Sequence, residues 1–208
     1  MFKKAVVLGL AQFLILGVAF AAPDRTGKTD IGLEVAGAMS TDADTNGGAY
    51  VGGNLSYGFS EWTALGVSFG GHAADIDDVT DSGVTILGPD VSEFSLFGDL
   101  IIRVPTGESP FNPYGVVGLG VIFWNIDDTT TNTGVSVATD VDTALGIKLG
   151  GGVDYFVNDH WIANFNGAYI FNNADTTLTA SAGGVSIAAT DKVDFDYWTI
   201  GGGLKYLF

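Results

Sequence analysis

The sequence predicts an all-β fold, an eight-stranded antiparallel up-and-down transmembrane β-barrel, and three observations carry the prediction. Apolar and polar residues alternate with period two through eight segments, each reaching the roughly ten residues that a tilted strand needs to cross a bilayer. The connections between these segments are alternately short and long, as in barrels whose turns face one compartment and whose loops face the other. The composition agrees: 47% hydrophobic residues, only 15% charged residues and 31 glycines in a chain of 208. A formal charge of −16 excludes a basic surface that tracks phosphates, so nucleic acid is not an expected partner. The absence of cysteine excludes a disulfide scaffold, a thiolate zinc site and a thiol nucleophile.

The chain opens with an address. Lys3 and Lys4 precede an uncharged run from Ala5 to Phe20, and Ala19-Phe20-Ala21 then supplies the small residues a signal peptidase reads. Residues 1–21 are read as a cleaved signal peptide and 22–208 as the barrel domain. The uncharged run is short for a helical span of about 20 residues, which argues against an anchor. Losing Lys3 and Lys4 makes the rest of the chain more acidic still.

The first strand is expected over 30–40, where Ile31, Leu33, Val35 and Met39 oppose Asp30 and Glu34. The second (49–59) and third (62–72) are separated by Ser60-Glu61. In the fourth (91–104), Phe94, Leu96, Leu100, Ile102 and Val104 oppose Glu93, Ser95, Asp99 and Arg103. The fifth (113–124) follows a short connection from Thr106 to Asn112. In the sixth (141–156), Leu145, Ile147, Leu149, Val153 and Tyr155 oppose Lys148, Asp154 and three glycines. Asn158 to His160 leads into the seventh (161–172), where Trp161, Phe165, Tyr169 and Phe171 oppose His160, Asn164 and Asn166. The eighth (194–208) carries Trp198, Ile200, Gly202, Leu204, Tyr206 and Phe208 on one face. An even strand count puts both ends on one side, read as the periplasm. The long connections 41–48, 73–90, 125–140 and 173–193 are then extracellular loops.

A Lys or Arg facing lipid at mid-bilayer costs roughly 2–4 kcal/mol, so the charged face is the lumen. The alternative, a secreted lipocalin-like barrel, needs a denser charged exterior than these strands offer. The expected lumen charges are Glu34, Asp99, Arg103, Lys148, Asp154 and Lys205, with Glu34 and Lys205 forming an ion pair across the closing strands. Interfacial aromatics are expected at Tyr57, Phe59, Trp62, Trp161, Tyr206 and Phe208 on one level and at Tyr50, Trp124, Phe171 and Trp198 on the other. By simple alternation Trp62 and Trp124 point inward, so a turn must intervene or they pack in the lumen.

Most acids fall in the long loops, a rim expected to attract divalent cations and bridge to lipopolysaccharide. Asp42-Ala43-Asp44-Thr45-Asn46-Gly47 begins like a calcium loop, but Gly53 stands where a bidentate Glu belongs. No metal site or cofactor is expected. His72 and His160 fall at opposite ends of the barrel and neither joins a nucleophile–base constellation, so the chain is not read as an enzyme.

The final strand, ending in Phe208 with Tyr206, Leu204 and Ile200 in phase, resembles the terminal signal by which bacterial assembly machinery recognises outer-membrane barrels. Asn112-Pro113-Tyr114-Gly115-Val116-Val117-Gly118 resembles the opening of the fifth strand in small eight-stranded outer-membrane proteins. Gly152 to Trp161, Val193 to Phe208 and, loosely, Phe69 to Asp75 are similar to the outer-membrane protein W family. That family is linked to narrow channels for small hydrophobic molecules, whereas the charged lumen here resembles the filled interior of the outer-membrane protein A transmembrane domain. The resemblance implies an integral barrel of the outer membrane, embedded among its lipid and lipopolysaccharide. Its expected role is in envelope integrity or surface interaction, with a narrow passive channel as the alternative.

Overall fold

Period-two alternation becomes strand almost everywhere it occurs. The computed structural model describes residues 22–41, 47–75, 78–81, 84–107 and 109–208. The expected signal peptide and the calcium-like segment 42–46 lie outside the described residues. Eight long strands make the barrel: β1 (Thr29–Ser40), β2 (Gly48–Gly58), β3 (Thr63–Asp75), β4 (Asp90–Arg103), β5 (Phe111–Ile126), β6 (Ala144–Phe156), β7 (Trp161–Ala182) and β8 (Tyr197–Leu207). Each pairs antiparallel with its sequence neighbours, and β8 closes the ring on β1 from Asp30↔Leu207 to Ser40↔Tyr197. The fold is therefore all-β, a closed eight-stranded barrel without a sheet edge through its wall.

The two faces are inverted relative to a soluble barrel. Along β4, outward Phe94, Leu96, Leu100 and Ile102 are exposed while inward Glu93, Ser95, Asp99 and Arg103 are buried. The same outward apolar stripe runs through every strand, for example Leu33 in β1, Leu119 in β5, Leu145 in β6 and Ile200 in β8. Only a hydrocarbon solvent makes this arrangement favourable, because each exposed Leu or Ile would forfeit about 1.5–3 kcal/mol in water. The lipocalin-like alternative is excluded by this inversion.

Four departures from the expected elements have local causes. Trp62 lies in the turn before β3, which resets the alternation and leaves its ring exposed at the barrel rim. Tyr50 does not join an outer girdle: it points inward from β2 and is 8% exposed. The sixth strand begins at Ala144, because Ser136–Val141 belongs to a separate arm outside the wall. The eighth begins at Tyr197, because residues up to Asp194 belong to a hairpin with β7.

That hairpin is the largest surprise. β7 continues for 22 residues, well beyond the wall, and its outer half pairs with Ser136–Val141 on one side and Val185–Asp194 on the other. Ala182↔Val185 closes around Gly183 and Gly184 at φ +56° and +85°, the two left-handed positions of a type I′ turn. The sequence signal was Gly183-Gly184 itself; the Thr/Ala alternation beside it is too weakly amphipathic to read as strand. Among the other long connections, Val79–Asp81 pairs with Val84–Ile86, and Thr129–Thr130 with Val137 and Ser136.

Candidate functional site

The inward side chains fill the lumen in layers. At the end carrying the short turns, the segment preceding β1 folds back across the mouth. The Ala22 amide donates to the Ser109 carbonyl at 3.1 Å, and Ala22 packs on fully buried Phe156, Ile162 and Leu207. Thr26 donates through its hydroxyl and amide to Asp24 and holds that carboxyl below its usual range. This fold aims Arg25 into the bore, where its guanidinium lies 2.6 Å from Asp154 and 3.3 Å from Asp30, over the Phe156 ring. Asp154, 1% exposed, also accepts from Lys205 at 2.9 Å and Asn164 at 2.8 Å. Asp30 accepts from Arg103 at 3.2 Å and from Ser56 at 2.8 Å. Two carboxylates and three cations thus form one buried network across the opening.

Above it, Lys148 lies 2.8 Å from the Asp99 carboxylate and donates to Ser68 at 2.6 Å. Glu34 accepts from Asn166, which also donates to Asn164. The expected Glu34–Lys205 pair does not form. Both residues face the lumen, but the closing register sets Glu34 opposite Gly203 and Lys205 opposite Gly32, and Lys205 turns to Asp154 instead. A cavity of about 80 Å³ lies among Glu34, Asn54, Ser68, Asp99, Lys148 and Asn166. Its lining mixes these polar groups with apolar side chains such as Val67, Phe97 and Ile101, and it is large enough for several waters.

Toward the loop end the filling becomes apolar. Tyr50, Phe97, Ile122, Ile170 and Tyr197 form a buried cluster with Ala36 and Ala38, and Trp124 packs on it. Glycine makes this layer possible. The Phe97 ring occupies the space a Cβ would take at Gly120, Ile122 does so at Gly146 with Phe97 beside it, and Tyr50 at Gly52 and Gly70. Above the cluster, Glu93 accepts from Tyr197 at 3.1 Å and lies 3.0 Å from the His72 ring. Trp124 is lumenal, its ring 4.8 Å from Phe195 and 6.3 Å from His72.

All six charges expected in the lumen are there, and Asp99–Lys148 and Asp154–Lys205 are direct pairs. Arg25, Asp30 and Glu93 extend the set, so the described lumen holds five carboxylates and four permanent cations rather than three of each. Asp30 and Glu93 were legible from strand phase. Arg25 was not, because it precedes β1 and alternation assigns it no face. His160 sits in the turn before β7, stacked 5.5 Å from Tyr206, far from His72. Among the described residues no group of three or more His, Asp or Glu converges as a metal site. The arrangement fills much of the bore with paired charges at one end and an apolar cluster toward the other. On the outer wall Ile200, Leu204 and Phe208 are exposed in phase, with Tyr206 packed between Trp161 and Phe208.

Residues 8–208 match the outer membrane protein beta-barrel domain family, and the chain belongs to that family. It is 28% identical over 160 residues to the uncharacterized outer-membrane protein y4mB of Sinorhizobium fredii, covering 74% of this chain. The chain spans 64% of the length of that relative. The crystal structure of OprG from Pseudomonas aeruginosa superposes with a TM-score of 0.66 at 20% identity, over 88% of this chain and 97% of that one. Ail, the attachment invasion locus protein of Yersinia pestis, solved with the heparin analogue sucrose octasulfate, gives 0.54 at 14% identity over 88% and 99%. These two likenesses establish the fold. The protein is an outer-membrane β-barrel, in an environment of lipid and lipopolysaccharide.

Proposed function

We propose that this barrel is non-enzymatic and non-conducting, and that it contributes to envelope integrity or surface interaction by holding its loops and long hairpin outside the cell. The observation that supports the reading is the filling of the bore at two levels, by the Arg25–Asp154–Lys205 network at one end and the Tyr50–Phe97–Ile122 layer at the other. A solute crossing the lumen would have to displace both. The alternative, a narrow passive channel for small solutes, requires a second conformation of each layer.

In this reading the turn end and both termini face the periplasm, supported by the short turns gathered there. Residues 1–21 are a signal peptide removed on export; the seating of Ala22 on Phe156, Ile162 and Leu207 supports a folded unit that begins at that residue. Ile200, Leu204, Tyr206 and Phe208 serve as the assembly signal. Acids at the loop end, including Asp90, Asp127, Asp128 and Asp175, hold divalent cations between the barrel and lipopolysaccharide phosphates. The sulfated ligand of Ail does not transfer, because this acidic rim repels polyanions.

Planar-bilayer recording of the refolded protein tests the reading, with liposome uptake of a small apolar solute beside it. A silent barrel that admits no solute is expected. Steady unit conductance that changes with Glu34 or Lys148 substitution would overturn it.

A further inference from the structure

We propose that the outer edge of Val185–Asp194 docks an extended polypeptide segment of another protein, which joins the sheet as an additional strand. The proposal builds on the reading that this end faces outside the cell.

The backbone directions come from the register. Asp142 donates to the Asp175 carbonyl, and Phe195 donates to that of Asn172. Odd residues of outer β7 therefore turn their peptide groups toward Ser136–Val141, and even ones toward Val185–Asp194. Pairing of Ala182 with Val185 and Ala180 with Ile187 then points Val185, Ile187 and Ala189 at β7. The peptide groups of Ser186, Ala188 and Thr190 point away from it, as does that of Lys192, whose amide already donates to the Asp191 carboxylate. Among the described residues this strand pairs only with β7, and all of its residues except Val193 are exposed. A row of unpaired N–H and C=O groups is a template for another strand.

Free edges are ordinarily blunted by charge, proline or a bulge. Residues 185–190 read Val-Ser-Ile-Ala-Ala-Thr, with none of these, and the first charges come at Asp191 and Lys192. Side chains beside the edge add a second preference. Leu178, Val185 and Ile187 share one face and are 49%, 66% and 72% exposed, while Thr177, Thr179, Ser186 and Thr190 share the other. An added strand that alternates apolar and hydroxyl side chains extends both faces. The neutrality of the edge makes the partner an uncharged segment, unlike anything drawn to the acidic rim.

A second copy of this chain fits poorly. Two copies in one membrane present the same row of residues with strands running the same way. Parallel pairing needs the two rows offset by one residue, about 3.3 Å, which a shared membrane depth opposes. Their acidic loops also repel.

The test uses the full barrel refolded in detergent and a fluorescent peptide of alternating Thr and Val with a Ser-Gly tail. Saturable binding that added salt leaves unchanged is expected, together with slowed exchange of the Ala188 and Thr190 amides. The Ala188→Pro variant removes an outward donor and none of the bonds to β7, so at least a tenfold loss of binding is expected. No binding, unprotected amides at Ala188 and Thr190, or equal binding by the variant would each overturn the proposal. Labelling of Ser186→Cys on intact cells reports separately on orientation. Failure to label would remove the outside reading, whatever the peptide does.

Discussion

Replacing Asp154 with Asn removes one negative charge from between two cations that have little else to turn to. Arg25 keeps Asp30 at 3.3 Å, so the loss falls mainly on Lys205, whose remaining neighbour is the Tyr114 ring at 4.8 Å. A cation–ring contact contributes about 0.5–2 kcal/mol, while stripping a buried ion of its partner costs about 3–5 kcal/mol. The Asn side chain preserves shape and, through Oδ1, the Asn164 contact, while its Nδ2 stands where Oδ2 accepted from Arg25, so a lost hydrogen bond adds to the lost charge. We expect Asp154→Asn to destabilise the barrel by about 2–4 kcal/mol, the ring offsetting part of the full loss. Adding Lys205→Met removes the stranded charge and should recover most of that. Urea unfolding from lipid vesicles, followed by tryptophan fluorescence and heat-dependent gel mobility, measures both. A single mutant within about 0.5 kcal/mol of the native protein would refute the reasoning, since that is the scale of an inconsequential surface change. So would a double mutant no more stable than the single one.

Arg25→Ala should be milder than Asp154→Asn on the same urea scale, because Asp154 keeps Lys205 and Asp30 keeps Arg103. Phe97→Ala empties the space over Gly120 and beside Gly146 and should cost about 3–5 kcal/mol, yet remain silent in bilayers while the charged layer stands; only combination with Arg25→Ala should conduct. Gly184→Val places a branched side chain at φ +85° and should loosen the hairpin by about 1–2 kcal/mol, seen as faster proteolysis near Ser181–Ser186 with an unchanged barrel midpoint. Deleting Phe208 should lower the amount of assembled barrel in cells more than its stability after refolding, measured by gel mobility of the two preparations.

The strands and their lipid face were legible because both depend on local phase. Leu96 and Asp99 are assigned to opposite faces by their separation along one strand, whatever that strand pairs with. The turns were legible too, since Ser60 and Asn158 mark reversals with short polar side chains that receive the following backbone amides. Tyr50 was misplaced because an aromatic near a strand end fits either a girdle or a glycine-lined lumen, and Gly52 and Gly70 decide for the lumen. The outer hairpin was missed because its faces differ in Thr against Ala, a contrast too slight to announce a strand.

The composition by itself only excluded partners. Joined to period-two alternation and to connections of alternating length, it pointed to a membrane. Local alternation then fixed which residues look inward. It could not fix their height or azimuth in the bore, and so could not say which charges meet. Arg25 reaches Asp154 across 129 residues of chain, and Lys148 reaches Asp99 across 49. Those meetings depend on the stagger of strands around the closed ring and on a terminal segment folding back through its mouth. A side is a property of one strand; a partner is a property of the whole barrel.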